Sequence, residues 1–269
     1  MSGGPARPTL VLWHPGLVPD LADKRRVQSF WDRKPCGSAH ATAPEGTLDY
    51  FRQVERKRYH LEPFIEEYAD FESTRGKRVL EIGVGLGTDF VRFARAGAEV
   101  FGVDLTERSV SLVRDRLALE GLDGDVQVGD AESLPFEDGT FDVVYSWGVL
   151  HHTPDPAQAI REAVRMVRPG GRLCVMLYAR RSWVAFGLWA RYALLRGRPG
   201  RSLSWAVANH MESAGTRAYL PSEIPELFGR LPGLRVEHVG TPYDRRVAGP
   251  LASLTGRRLG WFLVIQASG

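Results

Sequence analysis

The chain has 269 residues, 43% of them hydrophobic, and a formal net charge of +3 from 35 Lys and Arg against 32 Asp and Glu. That supplies enough apolar side chain for one full core, alone or with appendages, and excludes an intrinsically disordered chain. Charges of both signs are interspersed, which makes no case for nucleic acid, and two cysteines, Cys36 and Cys174, make none for a disulfide framework. No apolar run reaches the roughly 18 residues of a membrane span, and the opening residues lack the charged-then-apolar pattern of a signal peptide. A soluble, cytoplasmic protein is the expectation.

In chain order, residues 1 to about 23 are rich in Gly and Pro and then loosely apolar, and the first of them are expected to be disordered. A short helix is predicted over 24–32, broken by Pro35-Cys36-Gly37-Ser38. A longer one is predicted over 48–71, with Pro63 as a kink or junction. Together these form an N-terminal helical cap, 1–75. An α/β alternation follows: strand 78–82, helix 87–96, strand 98–103, helix 107–120, strand 125–128, strand 141–146, helix 156–167 and strand 172–178. Asp155 is placed to cap the helix at 156, with Pro156 in its first turn and Gln158 completing a capping-box-like pattern, while Pro169-Gly170-Gly171 ends it. This rhythm makes a doubly wound parallel sheet, the core 76–178, whose ligands belong at the carboxyl ends of the strands near the switch in strand order.

After Tyr178 the pattern changes. A strongly apolar helix over 182–195 carries Trp183, Phe186, Trp189 and Tyr192 and is followed by a basic turn, Arg196 to Arg201. A helix at 221–230 and strands near 234–240 and 261–267 complete the chain. The segment 179–232 is expected to cover a substrate and 233–269 to complete the sheet. For 182–201, packing against the 48–71 helices, cover over an apolar acceptor, a dimer contact and contact with a membrane surface are the readings open.

The chemistry is concentrated where the first strand, Val79 to Ile82, runs into Gly83, Gly85 and Gly87 and then a helix. Alternate glycines let the backbone turn sharply and approach a ligand, and the free N–H groups at a helix start favour a negative group. Asp104 ends the next strand. Those features alone also fit a dinucleotide-binding unit, hence a nicotinamide-dependent oxidoreductase. Two further strand tips, Asp130-Ala131-Glu132 and Ser146-Trp147-Gly148, fall on the same edge of the sheet and can converge on the same ligand.

Through Glu81-Ile82-Gly83-Val84-Gly85-Leu86-Gly87, Asp130-Ala131, the phrase Leu134 to Asp142, His151-His152 and Arg168-Pro169-Gly170-Gly171, the chain resembles class I S-adenosylmethionine-dependent methyltransferases. It is closest in style to the small-molecule, quinone-biosynthesis-like branch, and the resemblance covers about residues 76–178. It implies a Rossmann-like, seven-stranded α/β sheet with an antiparallel last strand, a helical cap and an insertion after the fifth strand. It also implies S-adenosyl-L-methionine as cofactor and a small or lipophilic methyl acceptor. Carried onto this sequence, it makes Gly83, Gly85 and Gly87 the turn around the methionine portion, with Glu81 orienting that region. Asp104 becomes the acceptor for both ribose hydroxyls, Asp130 with the Ala131 N–H the adenine site, and Ser146 and Trp147 backbone contacts to the methionine amino group. A catalytically silent cofactor-binding protein shares all of these features.

Methyl transfer needs an aligned nucleophile, exclusion of water and, for O–H and some N–H acceptors, a base. His151, just beyond the fourth strand tip, is the catalytic candidate, and His152 is expected to pack. Tyr178, at the end of the fifth parallel strand, is the substrate-binding candidate, with Tyr59 and His210 weaker ones. No metal site is expected, since the remaining histidines lack ligand spacing with the two cysteines.

Overall fold

Alternating burial along each central strand decides the layering. In the computed structural model, which describes residues 21–213, 215–229 and 231–269, Val79, Val143 and Tyr145 point to one face of the sheet and Leu80, Ile82 and Val144 to the other, all nearly inaccessible to solvent. Strands buried on both faces need helices on both faces. The expectation of disorder at the very start falls on residues outside those described.

Two helices, α1 (Leu21–Arg33) and α2 (Leu48–Leu61), precede the sheet; the Thr47 side chain caps α2 by accepting from the Tyr50 N–H. Pro63 separates α2 from the short α3 (Ile65–Ala69), so the sequence's single long helix is two helices and a final 3-10 turn. Then come β1 (Arg78–Ile82), α4 (Thr88–Arg95), β2 (Glu99–Asp104), α5 (Glu107–Glu120), β3 (Asp125–Val128), β4 (Phe141–Trp147), α6 (Pro156–Met166) and β5 (Val167–Tyr178). Beyond β5 lie α7 (Trp183–Tyr192), α8 (Leu203–His210), α9 (Ile224–Phe228), β6 (Arg235–Val239), α10 (Pro242–Ala248), α11 (Pro250–Leu259) and β7 (Phe262–Ser268).

The sheet order is β3-β2-β1-β4-β5-β7-β6, parallel throughout except for β7, which runs antiparallel to both β5 and β6. One side is filled by α4 and α5, through Phe90, Phe93, Val113 and Leu117, and the other by α6 and α9, through Ile160, Ala163, Met166 and Phe228. The chain switches direction of winding between β1 and β4, so the tips of those strands frame the natural crevice.

Three local expectations change. The α6 helix has already ended at Met166, and Pro169-Gly170-Gly171 lies inside β5 as an irregularity in its pairing with β4. A Cβ on Gly171 would sit 2.9 Å from two carbonyl oxygens, so the bulge requires glycine. Asp155 does cap α6 through the Gln158 N–H, yet no reciprocal box closes. The Asp155 N–H donates instead to Glu132 Oε1 at 2.7 Å, and the Gln158 amide donates to the Glu132 carbonyl. Finally, α7 packs chiefly on α8 and α10 rather than on α2 and α3, with Trp183 Nε1 donating to Thr255 Oγ1 of α11.

Candidate active site

A cavity of about 320 Å3 opens at the carboxyl ends of β1 to β5, at the lower end of the ~300–1,000 Å3 common for small-molecule sites. Its first half is made by strand tips. Gly83, Gly85 and Gly87 all have φ in the left-handed region, +82°, +53° and +68°. They are not equivalent. A Cβ on Gly83 would lie 2.3 Å from Val149 and one on Gly87 2.9 Å from Val113, whereas one on Gly85 would meet nothing within 4 Å. Gly83 and Gly87 therefore serve close packing, and Gly85 is the residue whose missing side chain leaves open space. Gly83 and Gly85 line the cavity; Gly87, the N-cap of α4, does not.

Asp104 holds this turn from the next strand. Its Oδ2 accepts from the Gly85 N–H at 3.0 Å, and its Oδ1 accepts from the Thr106 N–H and hydroxyl at 3.0 and 2.9 Å. Burial pushes its pKa up, and these donors oppose the shift. Glu81 is buried beneath the turn, with Oε2 lacking a hydrogen-bond partner among the described residues; burial, reinforced by Asp89, holds its pKa well above the usual carboxylate range. At the tip of β3, Ala131 lines the cavity and Lys24 of α1 pairs with Asp130 and, at 2.7 Å, with Glu132.

The second half is aromatic and assembled from distant segments. Trp147 donates from Nε1 to Glu62 of the segment after α2 at 3.2 Å. Tyr178 stacks on Trp261 with ring centres 4.3 Å apart and donates its hydroxyl to Glu212 Oε2 at 3.1 Å. Trp31 of α1 meets the His152 ring edge-on. Burial raises the pKa of both Glu62 and Glu212. Arg58 lines the wall, gripped through Nε and one terminal nitrogen by Asp89, which also accepts from the Tyr59 and Tyr145 hydroxyls.

Two expected site residues present no side chain to the cavity. Ser146, expected to contribute its backbone, is fully buried in the sheet, where its hydroxyl donates to the Ile82 carbonyl. His151 is likewise fully buried, wedged between the rings of His152 and Tyr178 at 4.3 and 3.9 Å, and neither ring nitrogen has a partner. Burial and then the neighbouring imidazole hold its pKa well below 6.5. The strand-end geometry turns the first histidine inward and the second outward, so His152 is the imidazole on the cavity wall.

His152 is held there by the loop after α8. Its Nδ1 lies 2.9 Å from both the Ser213 and Thr216 hydroxyls, and the Thr216 hydroxyl proton is committed to the Ser213 carbonyl at 2.7 Å. Thr216 Oγ1 is thus available to accept from Nδ1–H, the tautomer that leaves Nε2 with its lone pair. Nε2 has no hydrogen-bond partner and lies 3.6 Å from Glu212 Oε2. Burial lowers the His152 pKa to about 3, so the ring is neutral at physiological pH.

Sequence reasoning did not single out Lys24, Trp31, Arg58, Glu62, Glu212 or Trp261. Val54, Arg58 and Glu62 at four-residue spacing gave one available signal, two charges continuing an apolar helix face. Nothing local marks Glu212. Tyr59 and His210, the weaker candidates, are occupied structurally, Tyr59 with Asp89 and His210 stacked on Tyr192.

Residues 80–175 match the methyltransferase domain family. The 27-O-demethylrifamycin SV methyltransferase of Amycolatopsis mediterranei (strain S699) is 41% identical over 103 residues, 37% of this chain and 38% of that protein. The ubiquinone biosynthesis O-methyltransferase of Bordetella bronchiseptica (strain ATCC BAA-588 / NCTC 13252 / RB50) is 40% identical over 114 residues, 40% of this chain and 44% of that one. The chain thus aligns with less than half the length of these curated relatives. Across nearly its whole length, 94% of this chain and 98% of the other, it superposes on geranyl diphosphate C-methyltransferase from Streptomyces coelicolor A3(2), with a TM-score of 0.61 and 18% identity. The family match covers residues 80–175, and the seven-stranded sheet built around them has the fold of that methyltransferase structure.

Proposed function

We propose that this protein transfers the methyl group of S-adenosylmethionine to a hydroxyl or amine of a small, lipophilic, ring-bearing acceptor. One observation carries the reading: a single cavity joins the glycine turn and Asp104 to an aromatic recess containing a partnerless imidazole nitrogen. The residues fit the cofactor. A buried carboxylate with an unpartnered oxygen, Glu81, suits the ammonium of its amino-acid end, and the space beside Gly85 suits close backbone approach. Asp104 Oδ2, which accepts from the Gly85 N–H, keeps a lone pair for a ribose hydroxyl, while Oδ1 is filled by the Thr106 N–H and hydroxyl; Asp130 and Ala131 serve the adenine. Arg58, fixed by Asp89, takes the carboxylate, and the Trp147 backbone contributes at the same end.

Bound there, the cofactor supplies an electrophilic methyl group on a positively charged sulfur. The protein's part is to bind and orient the acceptor between Trp31, Tyr178 and Trp261, to exclude water with those rings, and to take the proton. His152 Nε2 would receive it from the acceptor's oxygen or nitrogen as that atom bonds to the methyl carbon and the carbon–sulfur bond breaks, S-adenosylhomocysteine being the leaving group. The resulting imidazolium is then paired by Glu212, whose carboxylate Tyr178 orients. In this reading the described helices of the cap 1–75 and those of 179–232 close over the core 76–178, supported by the presence of Trp31, Arg58, Val184 and Met211 on the cavity wall. A cytoplasmic location belongs to the same proposal, supported by two unpaired thiols.

The test is calorimetry with S-adenosylhomocysteine, NAD and NADP, followed by transfer of radiolabelled methyl to a panel of phenols, quinols and lipophilic amines. Tight binding of S-adenosylhomocysteine alone and labelling of a member of the panel are expected. Preference for a dinucleotide, or cofactor binding with no transfer to any acceptor, overturns the reading.

A further inference from the structure

The helices beyond β5 present a surface unlike the rest of the molecule. Arg191, Arg196, Arg198 and Arg201 follow one another at the end of α7 and in the turn to α8, all exposed and, among the described residues, none in an ion pair; Arg191 and Arg196 lie over the Tyr192 ring and Arg201 over that of Trp205. On α10 and α11, which adjoin α7 through Val247 beside Gly187 and through the Trp183–Thr255 hydrogen bond, Arg245, Arg246, Arg257 and Arg258 are exposed and equally unpaired. Between 182 and 201 there is no acidic residue, and between 242 and 260 there is one, Asp244, buried and bonded to Thr241 and Trp261. Elsewhere Arg95, Arg108, Arg116 and Arg165 are paired with carboxylates. Set among the unpaired arginines are exposed apolar side chains: Leu195 at 80%, Leu254 at 85%, and Leu194, Val247 and Leu251 at about half.

We infer that this surface docks on an anionic phospholipid bilayer. Eight exposed guanidinium groups in two stretches whose single acid is buried are complementary to a layer of phosphate headgroups, and arginine forks bind phosphate oxygens in pairs. The apolar tips come from three separate elements, each flanked by arginine, and are suited to enter the boundary between headgroups and acyl chains. A second copy of the chain meeting this surface through a two-fold axis would set arginine against arginine. A nucleic acid would satisfy the arginines and leave the leucines in water. The same helices reach the cavity, through Val184 of α7 and Tyr243 of α10, so docking places the acceptor half of the site beside the membrane that would hold a lipophilic acceptor. That purpose rests on the proposed function; the docking itself does not.

The experiment is flotation of the full chain with vesicles of phosphatidylcholine alone and of phosphatidylcholine mixed with phosphatidylglycerol, with S-adenosylhomocysteine binding measured in parallel. It reads membrane binding without turnover, so its failure and that of the methyl-transfer reading are distinguishable. Binding only to the mixed vesicles, weakened by salt, is expected. Each arginine among 257, 258, 196 and 198 changed to Gln should weaken it about 5-fold, and Leu195→Glu with Leu254→Glu should abolish it while leaving S-adenosylhomocysteine binding unchanged. Equal binding to both vesicle types, or indifference to the leucine changes, overturns the inference. So does a duplex oligonucleotide that strips the protein from vesicles and binds the leucine variant as well as the parent, or a dimer in sedimentation that the leucine variant loses.

Discussion

The two halves of the cavity are built in different ways. The cofactor half consists of strand tips in one sheet: Glu81 and Gly83 end β1, Asp104 ends β2 and Asp130 follows β3. Its geometry follows mainly from strand register, with Lys24 of α1 and Arg58 of α2 added from outside the sheet. The acceptor half takes Trp31 from α1, Glu62 from the end of α2, Tyr178 from β5, Glu212 from the loop after α8 and Trp261 from the start of β7. Local chemistry specifies the first, and it can be changed only at fixed positions. Tertiary packing specifies the second, leaving it free to vary with the acceptor while the first stays the same.

The largest effect expected from this division is kinetic. His152→Gln should lower single-turnover methyl transfer by about 10²-fold, the low end of a general base's worth because burial holds the ring's pKa at about 3, with S-adenosylhomocysteine affinity unchanged. His151→Phe should cost far less, because His151 only fills space between His152 and Tyr178. Equal losses for the two variants, measured with the acceptor found above, would erase the distinction between the inward and outward histidine.

Next in size is the cofactor half itself. Asp104→Ala removes charge-assisted hydrogen bonds worth about 1.5–3 kcal/mol each, or roughly 10- to 150-fold in affinity per bond. Because Asp104 also holds the Gly85 N–H, Gly85→Ala separates the two contributions. Alanine there meets no protein atom, so the variant should fold, at a left-handed penalty of about 1 kcal/mol, yet its methyl group occupies the ligand's approach and should weaken S-adenosylhomocysteine comparably. Calorimetry on both variants decides it. Normal affinity in a folded Gly85→Ala protein would show that the ligand does not pass over that turn.

The same division explains what could be read from the sequence. The strands and the glycine turn with the acids at the ends of β2 and β3 are local patterns, whereas the antiparallel last strand and the cofactor roles of those residues are implied only by the resemblance to a known family. Periodicity did not reveal α8, α10 or α11, whose short helices are stabilised by packing on α7 and β6 more than by their own pattern. Nor could it tell His151 from His152. A one-residue difference at a strand end decides which imidazole turns to the cavity, and that depends on the Ser213 and Thr216 hydroxyls some 60 residues away in sequence.

Those two histidines also set an acid limit on stability. Both are buried neutral with pKa values below the unfolded 6.5, His152 at about 3, so their contribution is complete above 6.5 and is lost as pH falls below it. Each should remove about 1.4 kcal/mol per pH unit between 6.5 and its folded value. Urea titrations across that window should show the slope, and His151→Phe should flatten it by one proton. An unchanged slope in that variant would mean that His151 is not buried neutral.

The smallest effect is the most diagnostic of a residue kept for binding at the expense of folding. Glu81 lies on the cofactor side of the division, buried with one oxygen unpartnered and its pKa held well above 4.5. For an acid with a raised folded pKa, the free protein loses stability as pH rises through the unfolded value, because the folded state retains a proton that the unfolded state releases. Glu81→Gln removes that ionisation while keeping the shape, and should stabilise the ligand-free protein by about 1 kcal/mol near pH 7, with no gain below about pH 4, where both states are protonated. S-adenosylhomocysteine should bind the variant more weakly, since the ammonium of its amino-acid end loses a carboxylate. Thermal melts with and without ligand at both pH values read the two effects together. A variant that is no more stable near pH 7, or that binds the ligand as well as the parent, would make Glu81 an ordinary part of the core rather than an acid held in reserve for the cofactor.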